Sequence, residues 1–117
     1  MAAPNIVNVA TITGKTAVQA VGTSAAAIVT NSSNSGKVFK INAMYVSNID
    51  GTSAANISVD LFRSSTAYSI ASTVSVPANA TLDILSKALY LEEGDALRCT
   101  ASASGDLVAV CSYEEIS

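Results

Sequence analysis

The sequence predicts an all-β domain, an antiparallel β-sandwich of jelly-roll type with seven to eight strands and an extended N-terminal segment. Three observations lead there. Half of the 117 residues are hydrophobic, yet only 5% are aromatic and 13% charged, so the apolar content is mostly Ala, Val, Leu and Ile, which suit small pleated cores. Apolar residues alternate with polar ones over short stretches. Turn clusters rich in Gly, Asn, Asp and Ser recur at intervals of about ten residues. A chain of this length holds one core, so a single domain spanning 1–117 is expected.

In chain order, residues 1–13 are extended and weakly patterned, either an edge strand or an arm lying on a neighbour. Ile6, Val7, Val9 and Ile12, then Val18, Val21, Ile28 and Val29, mark two or three extended pieces. The alanines between Thr16 and Val29 also admit a helix, but Val, Thr and Gly disfavour one and no cap precedes it. The loop from Asn31 to Gly36 is polar and has no hydrophobic anchor. Val38 to Asn48 reads as a long strand with Phe39, Ile41, Ala43 and Tyr45 on one face. The turn at Asn48-Ile49-Asp50-Gly51-Thr52 leads to a strand in which Ile57, Val59 and Leu61 alternate with Ser58, Asp60 and Phe62.

A two-residue loop at Ser64-Ser65 sets Leu61 opposite Tyr68 and Val59 opposite Ile70. The return strand carries Tyr68, Ile70, Val74 and Val76 and stops at Pro77-Ala78-Asn79. Leu82 with Ile84, and Leu89 with Leu91, mark two short strands broken near Ser86-Lys87. Glu92-Glu93-Gly94-Asp95 is a turn whose glycine takes positive φ. A last hairpin is expected around Ser104-Gly105-Asp106, pairing Leu97 with Tyr113, Cys99 with Cys111 and Ala101 with Ala109.

The chemistry available is narrow. The chain has no histidine, which removes Ser-His-Asp and Cys-His nucleophiles, histidine acid/base work and most zinc sites. Glu114 and Glu115 are neighbours on a strand and point to opposite faces. Gly14-Lys15-Thr16 lacks the upstream glycine of a phosphate loop, since Val9 stands there, and Gly36-Lys37 fails likewise. Around Glu92, Glu93 and Asp95 a solvated turn is preferred to a weak calcium site. No catalytic residue, cofactor or metal is expected, and the protein is taken as a non-enzyme.

Cys99 and Cys111, facing each other across the last hairpin, form a candidate cross-strand pair. A disulfide there competes with two buried thiols, and the absence of a secretion signal favours the thiols. Sequons at Asn31, Asn56 and Asn79 are taken as incidental. Tyr45, Tyr68 and Tyr113 fall on expected core faces, leaving Phe62 and Tyr90 as candidate interface aromatics. For Phe62 the alternative is cover by the chain's own N-terminal segment.

The net charge is −3, with no basic stripe to displace counterions, so a nucleic-acid partner is not expected. Lys15, Lys37 and Lys40 precede every acidic residue, a split that either guides subunits together or fell by chance. The longest apolar run, Ala25 to Val29, is far shorter than the roughly 20 residues of a membrane span. Met1 to Asn5 lacks the basic start of a signal peptide, so synthesis in a cytoplasm is expected.

Several stretches of the C-terminal two thirds carry a resemblance. They are Tyr45-Val46-Ser47-Asn48-Ile49-Asp50-Gly51-Thr52, Ser75-Val76-Pro77-Ala78-Asn79-Ala80-Thr81-Leu82, Leu89-Tyr90-Leu91-Glu92-Glu93-Gly94-Asp95-Ala96-Leu97, Thr100-Ala101-Ser102 and Ser112-Tyr113-Glu114-Glu115-Ile116. Together they resemble small virion structural proteins of tailed phages, closest to those of phages that infect marine cyanobacteria. The resemblance spans roughly residues 38 to 117 and implies a many-copy component of the virion. Capsid decoration (cement) as a homotrimer, with the major capsid protein as favoured partner, is the first expectation. A tail, neck or fibre module that aids assembly or host-surface recognition is the alternative. The resemblance assigns no binding residue.

Overall fold

A computed structural model of the chain describes Asn5 and residues 9–117. Nine strands make up the described residues: β1 (Ile12–Ala20), β2 (Ala26–Thr30), β3 (Val38–Asn48), β4 (Ala55–Arg63), β5 (Thr66–Val76), β6 (Thr81–Asp83), β7 (Leu89–Leu91), β8 (Ala96–Ala101) and β9 (Leu107–Ile116). They form two antiparallel sheets. The first runs β1-β9-β3, with β6 and β7 pairing different ends of the far side of β3; the second runs β2-β8-β4-β5. If β6 and β7 count as one interrupted strand, the first strand pairs the last, the second the next to last, the third the sixth and the fourth the fifth. That nesting is jelly-roll topology, and the all-β sandwich expectation holds.

The core lies between the sheets. Ile41, Met44, Val46, Ile57, Val59, Leu91, Leu97, Leu107, Ala109, Cys99 and Cys111 are fully or nearly fully buried there. Phe39 is the buried aromatic, stacked at a tilt on Tyr113 with ring centroids 5.6 Å apart. The stretch from Thr16 to Val29 contains no helix: β1 continues to Ala20 and β2 begins at Ala26. The two-residue turn at Ser64-Ser65 is present, with φ of 51° and 62°, the doubly positive pair whose twist matches a hairpin.

Three expectations are corrected. The last hairpin does not exist: β8 lies in the second sheet and β9 in the first, so residues 102–106 cross between layers. Cys99 pairs Val59 and Ala26, Cys111 pairs Met44 and Ala17, and the two thiols are free and buried. Alternation identifies the buried face of each strand, but two inward faces match equally well edge to edge or across a core. In β3, a bulge between Ile41 and Ala43 shifts the phase by one residue. Met44 and Val46 therefore point inward and Tyr45 outward, 44% exposed. In β5, bulges move the partner of Val59 from Ile70 to Ala71, while Leu61 does pair Tyr68. Tyr68 shares the inward face with Leu61, yet it stands on an edge strand and is 56% exposed.

At the N-terminus, Ala10 and Thr11 donate to the carbonyl of Ser117, and Ile12 and Thr13 pair with β9 at the sheet edge. The rest of the arm-or-edge segment, residues 1–4 and 6–8 with Ile6 and Val7, lies outside the described residues.

Candidate functional site: an uncharged sheet face

Strand register builds one broad face on the outside of the first sheet. Val18 lies opposite Val110, Val110 opposite Tyr45, and Tyr45 opposite Asp83. The next row is Ala20, Val108, Ser47 and Thr81, and on the other side come Thr16, Ser112 and Ala43. These residues project outward because Leu107, Ala109 and Cys111 take the inward positions of β9. Asp83, at one rim, is the single charge among them. Val18 is 71% exposed. The hydroxyls of Ser47 and Thr81 hydrogen-bond each other at 2.9 Å, so part of the polarity is already satisfied within the face.

One end of the same face is charged. Lys40 lies opposite both Glu114 and Tyr90, and Asn42 donates to Glu114 Oε1 at 3.2 Å. Tyr90, the first interface candidate, is therefore on this face at its polar margin, 40% exposed. Phe62, the second, is on the outer side of the other sheet, so the structure does not bring the two together. The Arg98 guanidinium sits 4.0 Å above the Phe62 ring and pairs Asp60 through both oxygens, at 2.9 and 3.2 Å. Arg98 thus supplies the cover of Phe62 within the described residues.

The turn at 92–95 is not simply solvated. Asp95 is 2% exposed, its oxygens accept Arg63 Nε at 2.8 Å and Nη2 at 2.6 Å, and Oδ2 also accepts the Glu92 N–H. Burial pushes the Asp95 carboxyl up, but the Arg63 and Glu92 hydrogen bonds outweigh it and hold the group below its ordinary value. Arg63 also reaches Glu92. With its carboxylate engaged this way, Asp95 is a structural anchor. Among the described residues no group of three acidic, Cys or His side chains is placed to hold a metal.

Two loops are anchored by asparagine. Asn31 is fully buried, donates Nδ2 to the carbonyls of Lys37 and Leu91, and accepts Ser35 Oγ on Oδ1. This sequon cannot present its side chain, and the loop, which has no hydrophobic anchor, is held by polar bonds to the 92–95 turn: Asn31 N–H to the Asp95 carbonyl, Gly94 N–H to the Asn31 carbonyl and Gly36 N–H to Glu93 Oε2. Asn48 plays the same part, donating to the carbonyls of Ser53 and Val76 while its Oδ1 accepts Asp50 N–H. The cysteines offer no chemistry: burial pushes the Cys99 thiol up to about 12 and Cys111 up to about 11.

The residues that sequence reasoning missed are Val18, Val110 and Tyr45. For Val18 a signal was present: no charged residue stands between Lys15 and Lys37, which is unusual for an edge strand and the loop that follows it.

No protein-family model matches the chain, and no curated protein matches it. Among solved structures it is similar to one described as Bacillus endospore appendages that form a novel family of disulfide-linked pili. That match has 13% identity, covers 92% of this chain and 88% of the other, and has a TM-score of 0.54. Weaker likenesses, both at TM-score 0.43 and 16% identity, are to two further structures. The nucleoplasmin-like N-terminal domain of Drosophila FKBP39 covers 87% of this chain and 85% of its own. A pentameric capsid protein from metagenomic phage sequences covers 86% and 60%. The likeness to the appendage structure is one of fold.

Proposed function

We propose that this protein is a non-enzymatic structural subunit of a phage virion that decorates the head and reinforces contacts between major capsid subunits. The observation that carries the proposal is the outer face of the first sheet, where the Val18, Val110 and Tyr45 row is bordered by small and hydroxyl residues. Docking strips water from both surfaces, and desolvating isolated charges is costly. A face built from Val, Ala, Thr, Ser and Tyr avoids that cost. The resemblance over residues 38 to 117 supports the virion setting. The lack of histidine, the buried thiols and the engaged carboxylate of Asp95 support a role without catalysis.

In this role the protein acts as a homo-oligomer, a trimer suiting threefold positions between capsid subunits. Particles made without it should assemble at normal yield and lose resistance to heat or low salt. Unchanged particle survival would remove the cement role. The alternative placement, in a tail, neck or fibre, draws on the shared fold with the appendage structure, since that fold also builds pili. Immunogold labelling of intact particles separates head from tail.

A further inference from the structure

We propose that the free edge of β1 is an interface between two copies of this chain, paired antiparallel about Thr16. This adds a twofold contact to the self-association named above, distinct from any threefold contact within a trimer, and it rests on that reading for the expectation that copies associate.

Backbone accounting identifies the edge. Thr11 and Ser117 exchange N–H···O bonds at 2.9 Å, and Val21 donates to Leu107 O at 2.9 Å. In an antiparallel ladder these narrow pairs recur every second residue, so the odd-numbered residues of β1 bond to β9. Ile12, Gly14, Thr16, Val18 and Ala20 therefore turn their N–H and C=O groups away from the sheet, and all five are exposed. None of the five is charged, and β1 contains no proline.

The other sheet edges are blunted. β2 has five residues and a register break at Ala27/Val29. β5 breaks register twice and holds Thr73 at φ 53°, a strained value for a β-branched residue. β6 and β7 have three residues each. Among the described residues, β1 is the edge that is long, unbroken over nine pairs and without an outward charge, the kind of edge that templates another strand.

The occupant follows from self-complementarity. Antiparallel pairing sets outward residues opposite outward residues, and with Thr16 facing Thr16 of the second copy, Gly14 faces Val18 and Ile12 faces Ala20. A Cβ on Gly14 would meet nothing within 4 Å, so the space over Gly14 is open. The 71% exposed Val18 of the second copy fills it. The neighbouring registers instead place Val18 against Ile12 or Thr16. Lys15 falls opposite Ala17 and is already engaged by Glu115 of its own chain at 2.8 Å, so no like charges meet across the junction. The twofold axis stands perpendicular to the sheet, so the outer faces of both copies lie on one side, with the Val18 row of each copy running on into the Gly14, Glu114 and Lys40 row of the other. Such a contact joins copies, or trimers, in pairs.

Cysteine cross-linking tests the register, since both native thiols are buried. Thr16→Cys should give a covalent dimer under mild oxidation with diamide. A mixture of Gly14→Cys and Val18→Cys chains should cross-link, while neither alone should. Independently, Val18→Lys should halve the mass measured by light scattering while the circular dichroism spectrum stays unchanged. An uncross-linked Thr16→Cys chain, a Val18→Lys mass equal to that of the wild type, or a wild type monomeric at every concentration would overturn the interface. None of these results touches the virion placement, which is judged by presence of the chain in purified particles.

Discussion

Cys99 and Cys111 face the same core from opposite sheets, one on β8 and one on β9, both free and almost without solvent exposure. Their burial sets a pH limit on the fold. Each thiol is raised in the folded state, to about 12 for Cys99 and about 11 for Cys111, from 9.0. The folded chain therefore holds protons that the unfolded chain releases above about pH 9. Stability should be unaffected by these groups below that pH and should fall as pH rises beyond it. Urea titrations from pH 7 to 10.5 check this. In the folded protein at pH 8 neither thiol should react with iodoacetamide, and both should react once the chain is unfolded.

The Arg63–Asp95 pair gives a prediction at the acid end. Asp95 is held below its ordinary value of 3.8, so its contribution is present above that value and disappears as pH falls through the lower folded one. Arg63→Ala leaves a carboxylate at 2% exposure with its main partner gone. Because the Arg63 side chain is itself 41% exposed, the expected loss is discounted to about 2 kcal/mol. Chemical denaturation at pH 7 measures it.

Glycine substitutions separate backbone need from open space. Gly94 sits at φ +89° beside the buried Asn31 network, and Gly94→Ala should cost roughly 1–2 kcal/mol because of the left-handed conformation. Gly14 has neither positive φ nor a close neighbour. In the isolated subunit, Gly14→Ala should change stability by less than about 0.5 kcal/mol.

The proposed docking face separates binding from folding. Val18 and Tyr45 are 71% and 44% exposed, so Val18→Lys and Tyr45→Lys should shift subunit stability by only about 0.5 kcal/mol. Both should abolish binding of the purified protein to particles made without it, measured by co-sedimentation. Ile57→Ala, at a fully buried site, should do the reverse. It should cost about 2–5 kcal/mol of stability, while any fraction that remains folded still binds.

Much of this architecture was legible in the sequence where the signal was local. The Ser64-Ser65 turn, the opposition of Leu61 to Tyr68, and the break between β6 and β7 all follow from neighbouring residues. What was not legible depends on the third dimension. The apolar positions of β8 match those of β9, but alternation alone does not say whether they meet edge to edge or across a core. The bulge after Ile41 turns Tyr45 outward, and no residue in Lys40-Ile41-Asn42-Ala43 signals it. Tyr68 and Val74 follow the inward pattern yet stay partly exposed because β5 is an edge. The outer-face row of Val18, Val110 and Tyr45 joins residues from three strands distant in sequence, so the sequence marked only Val18, by the stretch without charge between Lys15 and Lys37.

The most direct test of the proposed role is quantitative mass spectrometry of purified virus particles from the source of this chain. The account predicts the chain in a fixed, many-copy ratio to the major capsid protein. Its absence from particles, with abundance only in the soluble host lysate, would contradict it.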